Sequence, residues 1–115
     1  DFTTMQRLVR FARYWDLVAN SGRFAHTVKA LLGDQPFVNF MAFSDWIYGR
    51  TDATHRIALD KLAKLVGEWL VETGMDRGQA AALLASDYAG NVDAKAKTAA
   101  QQVAAPARQV RHLAA

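Results

Sequence analysis

The sequence predicts an all-α protein, a single compact bundle of five or six helices with its central helix at about Phe37–Tyr48. Three observations predict it. Apolar residues recur at intervals of three and four through most of the first 90 positions, the period of helices with one buried stripe. Glycine or proline stands at most of the breaks in that pattern, where helices stop and start. The composition is 51% apolar in 115 residues, with three Trp, six Phe and three Tyr, enough for one domain with a real core.

The first helix is read over Thr3–Ala19, with Met5, Leu8, Val9, Ala12, Trp15 and Ala19 as the stripe expected to be buried. Phe11 and Val18 widen it, and Arg7, Arg10 and Arg13 lie three apart along a flank. Asn20-Ser21-Gly22 stops it, because Gly22 can take the left-handed backbone that closes a helix. A short second helix from Phe24 to Leu32 ends at Gly33, and the two are expected to form a hairpin. Asp34 and Pro36 are start signals for a third helix: an acceptor near the cap and a proline in the first turn. That helix carries Phe37, Val38, Phe40, Met41, Ala42, Phe43, Trp46 and Ile47 on nearly every side, which places it at the centre of the domain, and Tyr48-Gly49 is expected to end it.

Thr51 or Thr54 can cap a fourth helix whose stripe is Ala58, Leu62, Leu65, Val66, Trp69 and Leu70. Gly67 in its middle costs about 1 kcal/mol against alanine, which suggests a closely approaching backbone. Gly74 stops it, and Asp76 with Gln79 resembles a capping box for a fifth helix through Ala80, Leu83, Leu84 and Tyr88. Past Gly90 the large apolar residues stop recurring. The expected division is therefore a helical domain over residues 1–90 and an Ala/Lys/Gln-rich, weakly packed helical tail over 91–115 that ends in a basic motif.

Composition excludes several classes. The chain has no cysteine, so these residues hold no disulfide, thiolate zinc site or cysteine-ligated iron–sulfur cluster. The net charge of +3 is modest and comes partly from Arg108 and Arg111, a weak sign for nucleic acid. No apolar run approaches the roughly 20 residues that span a bilayer. The chain opens on Asp1, and it is expected to be a piece of a longer, cytoplasmic polypeptide.

No catalytic constellation stands out. His26, His55 and His112 are far apart and form no His-x-x-x-His pair, so no metal site is expected. Ser21, Ser44 and Ser86 lack a nucleophile setting, and no phosphate loop occurs. Phe37, Phe40, Phe43, Trp46 and Trp69 could line a pocket for a planar ligand, but core packing is the favoured use. The arginines beside Tyr14 and Trp15 could stack on bases. Exposed arginines on an amphipathic helix are the simpler reading.

The run Arg10-Phe11-Ala12-Arg13-Tyr14-Trp15-Asp16 leading to Asn20-Ser21-Gly22-Arg23-Phe24 resembles the C-terminal helical domain of B12-binding-domain radical-SAM proteins. So do Pro36-Phe37 before a helix with Trp46, Leu83-Leu84 before Asp87-Tyr88, and the closing Arg108-Gln109-Val110-Arg111-His112-Leu113. The resemblance covers most of residues 6 to 90 and the last few positions; the Ala/Lys/Gln stretch from Asp93 to Ala105 departs from it. Such proteins are Fe-S oxidoreductases similar to the anaerobic magnesium-protoporphyrin IX monomethyl ester cyclase. The resemblance implies a parent enzyme with a 4Fe-4S cluster, S-adenosylmethionine and cobalamin, all bound upstream by a barrel and a B12-binding domain. It implies for this chain an accessory role, packing on or covering the barrel, with no catalytic, cofactor or metal residue of its own. Arg10, Arg13 and Arg23, or Arg108, Arg111 and His112, would be its contact groups. The alternative is a free-standing helical module that binds nucleic acid or another protein. Against nucleic acid, no helix has a dense basic face, and the Thr54–Thr73 helix is long for a compact helix-turn-helix.

Overall fold

A computed structural model describes residues 1–89, and within them the chain is all-α. In order come α1 (Phe2–Trp15), a π-helical turn (Asp16–Asn20), α2 (Ala25–Leu32), α3 (Pro36–Thr51), α4 (Leu59–Glu72) and α5 (Arg77–Asp87). The described residues divide into two compact units, the first Asp1–Ile57 and the second beginning at Ala58. The tail expected over 91–115 lies outside the described residues.

In the first unit, the Asp1 carboxylate caps α1 by accepting the Thr4 N–H at 2.8 Å. After Trp15 the helix widens for one turn and then breaks at Gly22, whose φ of 75° is left-handed. α2 packs on α3 and on the π-helical turn, while α1 finds its main partner in α3 rather than in α2. The expected hairpin of the first two helices therefore gives way to a central α3 with α1 and α2 both against it. Gly33 closes α2 at φ 56°, and Asn39 of α3 donates its side-chain N–H to the freed Leu32 carbonyl at 2.8 Å. Asp34 makes no cap; Gln35 holds the cap position without a side-chain bond, and Pro36 takes the first turn as its fixed φ favours.

α3 does not stop at Gly49. It runs to Thr51 and ends on Asp52 in the left-handed region, φ 51°, whose N–H donates to the Tyr48 carbonyl at 2.8 Å. Phe40, Phe43, Ser44 and Ile47 are fully buried, as are Tyr14, Val18 and Phe24. Each of the apolar side chains among them contributes about 1.5–3 kcal/mol by leaving water. Phe37 and Val38, by contrast, are each 59% exposed, so α3 is not covered on every side as its sequence suggests.

In the second unit α4 and α5 pack on each other. Of the stripe read from sequence, Leu62, Leu65, Val66 and Leu70 are buried, together with Ala63 and Gly67, while Trp69 is half-buried and Ala58 is exposed ahead of the helix. Its cap is Ala58, with no side-chain bond; the helix starts later than read, so neither Thr51, which ends α3 and donates its hydroxyl to the Ile47 carbonyl, nor Thr54 caps it. Gly74, at φ 114°, separates the pair, and Asp76 Oδ2 accepts the Gln79 N–H at 3.1 Å to start α5. Ala80, Leu84 and Tyr88 are its buried side.

Three substitutions report on this backbone by urea or thermal melts followed by circular dichroism. Gly49→Ala should stabilise by about 0.5–1 kcal/mol, since Gly49 is inside α3 and a Cβ there meets nothing within 4 Å. Ser44→Ala should be neutral or stabilising by about 1 kcal/mol, because the Ser44 hydroxyl is buried without a hydrogen-bond partner among the described residues. Gly33→Ala should destabilise by about 1 kcal/mol or more, from its positive φ and a Cβ 3.1 Å from Asn39 Nδ2.

Candidate functional site

The first unit is organised by the seam between α1 and α3, and that seam is built from residues with polar heads. Arg7, Arg10 and Tyr14 fall three and four apart on one side of α1, and Val18 continues the row into the π-helical turn. Arg7 meets Asp45 with both arms, Nε to Oδ1 at 3.3 Å and the second nitrogen to Oδ2 at 2.6 Å. The hydrogen bond and the charge of Asp45 raise the Arg7 pKa above its already high ordinary value. Both partners are more than a third exposed, so this pair fixes register more than it adds stability. One turn on, the Arg10 guanidinium lies over the Tyr48 ring, 4.4 Å from its centroid. At the next turn the fully buried Tyr14 donates its hydroxyl to the Ala53 carbonyl, and its ring meets Phe43 edge-on at 6.5 Å.

Turning this side inward turns the expected stripe outward. Phe2 is 75% exposed, Met5 60%, Val9 47% and Leu8 43%, and Ala12 is exposed as well. Met5, Leu8, Val9 and Ala12 of the stripe assigned to the core are thus the uncovered face of α1, whereas Trp15 is half-buried against Phe40 at 5.0 Å, Phe11 and Ala19 are half-buried and Val18 is fully buried. Tyr14 buries its ring once its hydroxyl finds the Ala53 carbonyl, and Arg7 and Arg10 lie half-buried on the same side because their polar ends find Asp45 and Tyr48.

Two grooves flank the uncovered face. One, of about 400 Å³, is lined by Phe2, Met5 and Val9 of α1 and by Tyr48, Asp52 and His55 after it in the chain, with Arg10 and Arg13 at its edge. The other, of about 420 Å³, lies between Phe11, Ala12, Trp15 and Asp16 on one side and Pro36 and Phe37 on the other. A third groove, of about 330 Å³, is lined by Met75, Gln79, Ala82 and Leu83 within the second unit.

The residues singled out from sequence fall unevenly on this surface. Arg10 is committed to Tyr48, and its Nε is buried with no hydrogen-bond partner among the described residues. Arg13 is exposed and shares a groove with it. Arg23 is exposed on the turn before α2 and lines neither groove, and Arg108, Arg111 and His112 lie outside the described residues. Of the aromatic set, Phe40 and Phe43 are core, Trp46 and Trp69 are half-buried, and Phe37 is exposed in a groove. Among the described residues no three His, Asp or Glu side chains stand close enough to hold a metal ion. No helix there is long and apolar enough to cross a membrane.

Burial is the largest influence on the Tyr14 phenol and raises its pKa above the ordinary 10.0. Tyr48 and Asp52 add to the rise, while a hydrogen bond with Thr51 and the charge of Arg10 oppose it. The folded chain therefore holds the phenolic proton more tightly than the unfolded one. Its contribution is complete below pH 10 and is lost as pH climbs through the raised folded value. Tyr14→Phe should flatten the alkaline fall in stability relative to the parent, read from urea midpoints at neutral pH and above pH 10. At neutral pH it should cost only about 1 kcal/mol, because the Ala53 carbonyl still accepts from the Thr51 hydroxyl.

Compared with protein-family models, with curated proteins and with solved structures, the chain finds no match.

Proposed function

We propose that this chain is a C-terminal accessory domain that docks on the catalytic part of a cobalamin-dependent-type radical-SAM Fe-S oxidoreductase and performs no chemistry itself. One observation carries the docking half of this reading: Phe2, Met5, Leu8, Val9, Phe37 and Val38 are large apolar side chains left exposed on a unit of only 57 residues. Single exposed apolar residues are ordinary, but four on one helix at three- and four-residue spacing form a face that gains by being covered. The identity of the covering surface rests on the resemblance of Arg10–Phe24 and of Pro36-Phe37 to the family's motifs.

The family's cofactors do not fit these residues. A radical-SAM cluster needs three thiolates and the chain contains no cysteine, while no metal-holding group occurs among the described residues. The 4Fe-4S cluster, S-adenosylmethionine and cobalamin are assigned to an upstream barrel and B12-binding domain of the same cytoplasmic polypeptide, and the oxidoreductase, cyclase-like activity belongs there. Arg13, exposed beside the apolar face, supplies a charged edge to such a contact.

Two results test this. The coding sequence before Asp1 should contain a Cys-x-x-x-Cys-x-x-Cys loop. The upstream polypeptide, produced separately, should bind the 115-residue chain, and Met5→Lys with Val9→Lys should weaken that binding at least about tenfold, since each buries a charge in an apolar contact. Both positions are exposed, so the double variant should keep the parent's circular dichroism and melting temperature. An upstream sequence without the three-cysteine loop, or undiminished binding by the double variant, overturns the reading.

A further inference from the structure

We propose that the groove between the end of α1 and the start of α3 is a binding site for small organic cations with a flat apolar body, of the arylalkylamine or aryl guanidine class. Phe37 also belongs to the exposed apolar set, so the groove is open to a ligand in the 115-residue chain by itself; its residues have no part in the Arg7, Arg10 and Tyr14 seam. Its volume of about 420 Å³ falls within the range of small-molecule sites. Two short segments that are 21 positions apart, Trp15-Asp16 and Pro36-Phe37, converge on it.

The wall is aromatic. The Phe11 ring lies parallel to Trp15, with centroids 6.0 Å apart and planes 5° apart, and stacks on Phe37 at 5.2 Å. Trp15 and Phe11 are held from behind by Phe40, edge-on at 5.0 and 5.1 Å, so two of the three rings are fixed by the core. Phe37, 59% exposed, is the outer ring. Such rings attract flat apolar bodies by contact and cations by their electron-rich faces.

Asp16 is the one charged residue in the lining. Its Oδ1 accepts from Asn20 Nδ2 at 2.8 Å, which orients the carboxylate without neutralising it. No cation among the described residues pairs with it. Ring faces and carboxylate therefore select the same sign of charge, and an anion of equal shape meets repulsion from both. Asp16 also opens the π-helical turn, and such turns are rare and often placed at functional sites.

Three probes with one body separate charge from shape: phenethylamine, 2-phenylethanol and phenylacetate. Each is titrated into the 15N-labelled 115-residue chain while the three tryptophan indole signals are followed, with Trp15 assigned through Trp15→Phe. Phenethylamine should move the Trp15 indole with an affinity about three- to tenfold above that of the alcohol, and phenylacetate should bind weakest. Asp16→Asn keeps the acceptor for Asn20 and should bring the amine down to the alcohol's affinity while leaving the alcohol unchanged. Phe37→Ala, at an exposed position, should weaken amine and alcohol alike. Equal affinity for all three probes, a Trp15 signal that does not move, or an amine preference that survives Asp16→Asn would each overturn the proposal, whatever covers the rest of α1.

Discussion

The orientation of α1 on α3 is the constraint on which the first unit depends. Three successive turns of α1 present Arg7, Arg10 and Tyr14, and each meets a different kind of partner: a carboxylate, a ring face and a backbone carbonyl. None of these contacts is strong alone. Together they specify one rotation and one register, because a shift by a single residue would break all three. Hydrophobic contact cannot do this, since it is non-directional and would accept several rotations of the same helix. The polar heads thus select the packing, and the fully buried rings of Tyr14, Phe40 and Phe43 fill the core around it.

The same constraint explains which elements were legible in the sequence. In α4 the apolar and charged residues occupy opposite sides, so periodicity left one solution, and Leu62, Leu65, Val66 and Leu70 are buried as read. In α1 two stripes compete. Met5, Leu8, Val9 and Ala12 look more hydrophobic, while Arg7, Arg10 and Tyr14 carry long stems or rings whose polar ends need partners that a pattern cannot show. Those partners, Asp45, Tyr48 and Ala53, lie 38 or more positions away in the chain. The end of α3 misled for a local reason: Gly49 is a stop signal by type, yet Asp52 takes the left-handed cap instead.

The surface was legible in its parts and not in its assembly. Trp15-Asp16 and Pro36-Phe37 were visible as motifs, and Phe37 stood in the aromatic set. That they share one groove follows from α1 packing on α3, which the expected α1–α2 hairpin concealed. Of Arg10, Arg13 and Arg23, the last two keep the exposed character that the sequence pattern suggests, with Arg13 in a groove and Arg23 apart on a turn, while Arg10 is drawn onto a ring.

The widened turn at Asp16–Asn20 holds one residue more than an ordinary helical turn would need. Chain-length changes of one residue usually wreck a packed helix, because everything beyond them swings by about 100°. At this turn, removing one residue has somewhere to go: the bulge can relax into regular helix and carry the swing locally. The aromatic wall can therefore be reshaped over generations by single-codon deletion as well as by substitution, with Gly22 taking up the remaining misalignment before α2 begins.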